Sequence, residues 1–198
     1  MHDGCTVKRS GGIEGNSALT SAAAVVLTAL LLAEGVTIID IGGLRTPHMV
    51  IGLVLIPPLL VKLGSTGYRF ARYYTHARAY VVKGPPPVWL RLLAPVLVIT
   101  TIAVFATGVA LLALGHRSDT LIEVHKVSFI VWGVVFGVHF LGHLAEMLRS
   151  LGRDWRLPGT GVRIALVGAS LVAGVAIGLS LLAPITGWHG GHHHHHHD

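Results

Sequence analysis

Five long apolar stretches, at residues 18–39, 48–63, 90–114, 121–148 and 162–183, govern what this chain can become. A bilayer core about 30 Å thick is crossed by about 20 residues of helix, and a helix satisfies its own backbone donors and acceptors where no water is present. Only 12% of the 198 residues are charged against 52% apolar, too few polar side chains to cover a water-soluble surface of this size. A soluble enzyme and a disordered chain are thereby excluded, and Cys5, the single cysteine, rules out a disulfide scaffold. The expected fold class is an all-α integral membrane protein with five transmembrane helices.

The stretch at 48–63 is the shortest and contains Pro57 and Pro58, which remove two backbone donors, so a kink is expected there. The stretch at 18–39 exceeds a signal-peptide core and reads as a retained span. The division expected is an N-terminal cytoplasmic tail at 1–17, one membrane domain at 18–186 with an inner loop at 64–89, and a C-terminal tail at 187–198. Within that loop, Tyr68 to Tyr80 reads as a helix on or leaving the membrane surface, and three prolines at 85–87 as a stiff link to the next span. His192 to His197 read as a purification tag.

A net charge of +6 is also found in nucleic-acid-binding proteins, but position along the chain points elsewhere. With the N-terminus inside, 12 Lys and Arg residues fall on inner segments and three (Arg45, Arg117 and Lys126) on outer ones. That asymmetry implies a cytoplasmic membrane protein with its N-terminus inside and C-terminus outside, in contact with lipid and not with nucleic acid.

Four histidines, His48, His125, His139 and His143, lie in or at the ends of the spans. A histidine in hydrocarbon must face the bundle interior and find a partner, so each is a candidate functional residue. His125 and His139 are 14 residues apart, close to four helical turns, and share one face of their span at depths about 21 Å apart. His48 opens the second span and His125 lies in the first turns of the fourth, so both are expected at one depth near the outer surface. Two imidazoles from two helices suit the axial positions of haem b, whose flat ring fills the space inside a bundle. Gly52, Gly133 and Gly137 would admit the ring, and Arg45 and Lys126 would face its propionates. Structural zinc fits less well, since it favours four ligands, usually including thiolate.

These residues resemble bacterial membrane cytochromes b of the four-helix, b561-like type, which include the cytochrome subunits of membrane formate dehydrogenases and hydrogenases. The resemblance covers His48 to His143. It implies a four-helix haem-binding bundle plus one additional helix, with His125 and His139 as haem ligands on one helix and His48 as the partner across the outer haem. The runs GPPPVWLR and EVHKVSFIVWGVVFGVHFLGH also resemble small actinobacterial membrane proteins. The chain departs from the pattern 14 residues after His48, where Lys62 stands, leaving His139 with no evident partner. One haem is therefore expected before two.

His139 and His143, with Glu146 one turn away, Lys62 at the end of the second span and Tyr68 in the inner loop, could bind a quinone headgroup or form a polar network between helices. Glu34 is expected to bond Thr37 or a neighbouring span, or to relay protons. The function that follows is transmembrane electron transfer with quinone or a partner redox subunit. The alternative is a cofactor-free membrane protein that transports a metal or protons or scaffolds a complex.

Overall fold

The computed structural model describes residues 12–77, 88–114, 118–151 and 160–181. They form five helices: α1 (Gly12–Ile39), α2 (Arg45–Tyr74), α3 (Val88–Leu114), α4 (Asp119–Leu151) and α5 (Thr160–Ser180). All five are long and apolar enough to cross a membrane, and the chain is an all-α, multi-pass membrane protein. Large side chains such as Ile99, Ile130, Leu141 and Val172 are exposed along them, a surface suited to lipid and not to water. Expectations placed on Lys8, Arg9, Arg78, Lys83, residues 84–87, Arg117, Arg153, Arg156 and the tail at 187–198 lie outside the described residues, as does the side chain of Glu146.

The main difference from the expected spans is α2, which continues past residue 63 to Tyr74. Part of the segment read as a separate surface helix is therefore the last turns of α2. Pro57 and Pro58 do not interrupt it, and Gly64 and Gly67 do not end it. Its far half is held by α1, where the Asn16 amide donates to the Ser65 carbonyl at 2.9 Å and the Thr20 and Ser65 hydroxyls meet at 2.9 Å. Beyond them Arg91 of α3 donates to the Tyr74 hydroxyl at 2.6 Å and lies 6.0 Å from the centre of the Tyr73 ring.

The prolines also explain how α5 packs. A proline nitrogen has no hydrogen, so Pro58 leaves the carbonyl of Val54 without its usual helical donor. Gly174 of α5 sits against that carbonyl: a Cβ there would lie 2.6 Å from the Val54 oxygen. The glycine lets the α5 backbone approach, and its Cα hydrogen faces the vacated acceptor. One turn on, Gly178 lies against the Val50 side chain, where a Cβ would be 3.2 Å from Cγ1.

The helices group as three and two. α1, α2 and α5 pack together, α3 packs on α4, and the two groups touch more sparsely through α1 with α4 and α2 with α3. In the pair, Trp132 of α4 donates its indole N–H to the Thr101 hydroxyl at 2.9 Å, and Trp132, Phe136 and Phe140 stack along α4. Thr101→Val keeps the shape and removes the acceptor, so it is expected to destabilise the α3–α4 pair by about 1 kcal/mol, read as a lower midpoint of thermal unfolding in detergent.

Candidate functional site

A tight turn sets the first half of the site. Between α1 and α2 the Asp40 side chain accepts the Gly43 N–H at 3.1 Å, and the Asp40 carbonyl accepts the Leu44 N–H at 2.8 Å. The short reversal brings the last turns of α1 against the first turn of α2. His48 consequently meets two side chains of α1: its Nδ1 lies 3.0 Å from Glu34 Oε1 and 3.1 Å from Thr37 Oγ1.

The second half is built on α3 and α4. Thr107 Oγ1 lies 2.9 Å from Nδ1 of His125, and Gly108 makes room for that ring, since a Cβ there would be 3.2 Å from its Cε1.

The threonines fix the tautomers. Thr37 donates its one hydroxyl hydrogen to the Glu34 carbonyl at 2.6 Å, and Thr107 donates its own to the carbonyls of Ala103 at 2.7 Å and Val104 at 3.0 Å. Each hydroxyl oxygen can then only accept from the imidazole, so the ring hydrogen sits on Nδ1 and the lone pair on Nε2. The rings of His48 and His125 approach with centroids 6.5 Å apart and planes at 77°, although they belong to different helix groups.

Further along both helices lies a second cluster. His139 and His143 have ring centres 4.8 Å apart, and Lys62 of α2 is near enough to act electrostatically on His139. Nδ1 of His139 is buried and has no hydrogen-bond partner among the described residues. His48 to Lys62 and His125 to His139 are equal steps of 14 residues, so the second cluster repeats the first about 21 Å deeper.

The remaining expected site residues are placed as follows. Gly52 faces Glu34, where a Cβ would lie in ordinary contact with Oε1 at 3.5 Å. Gly133 and Gly137 face open space within 4 Å. Arg45 is exposed in the first turn of α2, and Lys126 pairs with Glu123 of its own helix at 2.9 Å. Sequence reasoning missed Thr107 and Gly108, whose one signal is a hydroxyl and a glycine at the depth of His125. Among the described residues no three His, Cys, Asp or Glu side chains converge as a metal-binding group, so a four-ligand zinc site has no donor set there.

Helices and site together define a polytopic all-α membrane protein with two oriented imidazoles paired across its interior. No family model, curated protein or solved structure matches this chain.

Proposed function

We propose that this chain is a b-type cytochrome that transfers electrons within a bacterial cytoplasmic membrane, in which His48 and His125 would hold one haem b. The observation that carries this reading is the separation of the two rings. The ring centres stand 6.5 Å apart, close enough for His48 and His125 to hold one metal between them through their Nε2 atoms. Their planes stand at 77°, each ring held by its own Nδ1 partners. The sparse packing between the helix groups supports a planar occupant.

A bound haem b supplies one-electron iron chemistry. The chain orients the two ligand rings through Glu34, Thr37 and Thr107, keeps their Nδ1 hydrogens in place, and excludes water with apolar helices. The distribution of lysine and arginine supports an inside N-terminus, which puts this pair near the outer face. The sequence carries no flavin or nucleotide motif, which favours a partner redox subunit as one exchange partner.

A lipid-soluble quinone is the other partner we propose, at Lys62, His139 and His143. A buried imidazole nitrogen without a partner beside an ammonium offers hydrogen bonds to the carbonyl oxygens of such a ring. Lys62→Met and His139→Leu are each expected to slow haem reduction by a quinol about tenfold or more, with haem content unchanged. Equal rates in wild type and both variants would remove the quinone from this site.

The test of the haem reading is pyridine-haemochrome stoichiometry on protein purified from haem-replete cells, with a reduced-minus-oxidised spectrum. One haem per chain is expected. A colourless protein overturns the proposal and leaves a cofactor-free membrane protein.

A further inference from the structure

Glu34 is the one acidic side chain among those described that lies buried between helices; Asp40, Asp119 and Glu123 are exposed near helix ends. A carboxyl group in this environment is costly and persists where it serves something. Here Oε1 faces Nδ1 of His48 at 3.0 Å, and Oε2 is buried with no hydrogen-bond partner among the described residues. The carboxyl is therefore aimed at one imidazole and held by little else.

His48 shares its Nδ1 hydrogen between the Thr37 hydroxyl and the Glu34 carboxyl. An imidazole whose outer N–H is bonded to a carboxylate is more basic and donates more electron density to a metal on its other nitrogen. Greater donation favours oxidised iron over reduced iron.

We infer that Glu34 is a positioning residue that would make His48 a stronger electron donor to a haem held there and so lower its midpoint potential. The inference rests on the haem reading above. It also implies opposite effects for its two neighbours at Nδ1. Replacing the Glu34 carboxyl by the weaker acceptor of an amide raises the potential, while removing the competing Thr37 hydroxyl leaves the carboxyl as sole acceptor and lowers it.

The experiment is a potentiometric titration of purified haem-loaded protein in detergent, comparing wild type with Glu34→Gln, Glu34→Asp and Thr37→Val at equal haem content. The midpoint is expected to move up in Glu34→Gln, down in Thr37→Val, and to stay closest to wild type in Glu34→Asp. If Glu34→Gln does not load haem, the Thr37→Val shift decides alone. A wild-type midpoint in both Glu34→Gln and Thr37→Val, or an upward shift in Thr37→Val, overturns the role of Glu34 while leaving the haem reading intact. A wild-type chain that binds no haem overturns both.

Discussion

Replacing His125 with alanine is expected to reduce haem content from one per chain to essentially none, and His48→Ala to do the same. Both rings are held in one tautomer by side chains that can only accept, so each supplies a lone pair that no neighbour replaces. His139→Ala is expected to leave the content at one per chain, because its ring lies about 21 Å deeper. The measurement is the Soret absorbance per mole of protein. A glycine variant separates lost ligation from damaged folding: His125→Gly opens a ring-sized gap beside Gly108, and added imidazole is expected to restore the band. Full haem content in His48→Ala and His125→Ala together would show that this pair holds no haem.

The second large effect concerns packing. Gly174→Leu is expected to separate α5 from α2, with a loss of about 3 kcal/mol, because the new side chain would enter the backbone of Val54 and not a movable side chain. Even the Cβ of Gly174→Ala would meet the Val54 oxygen at 2.6 Å, so alanine is expected to cost about 1–2 kcal/mol. Neither carbonyl nor glycine can yield cheaply, since Pro58 beneath them is almost fully buried. Thermal unfolding of the two variants in detergent should rank leucine below alanine and alanine below wild type. Gly133→Ala serves as the control, since its Cβ would meet nothing within 4 Å and is expected to leave the midpoint near wild type. Equal midpoints in all four proteins would refute the close approach.

The spans were legible because charge is scarce enough for hydropathy to mark them. The length of α2 was not legible. Gly64, Ser65 and Gly67 look like breakers when read locally, and what keeps them helical is the Asn16 amide and the Thr20 hydroxyl on a helix 45 or more residues earlier. His48 and His125 could be matched because depth in a bilayer follows from residue count. Their orienting partners could not be matched that way. Thr107 reads as an ordinary apolar-helix threonine bonding its own backbone, which it also does, and its contact with His125 depends on the rotation of α3 against α4. Glu34 was visible as an anomaly, but its partner depended on the turn at residues 40–44, whose tightness comes from Asp40 closing on Gly43.

The grouping of helices as three and two bears on how the protein is made. Each group is a self-contained set of neighbours in sequence or packing, so the α3–α4 hairpin can enter the bilayer and pair before it docks on the remaining helices. Docking then resembles the closing of a book, with His48 on one page and His125 on the other. A group bound between His48 and His125 as proposed would be held from both sides only once the two helix groups have docked.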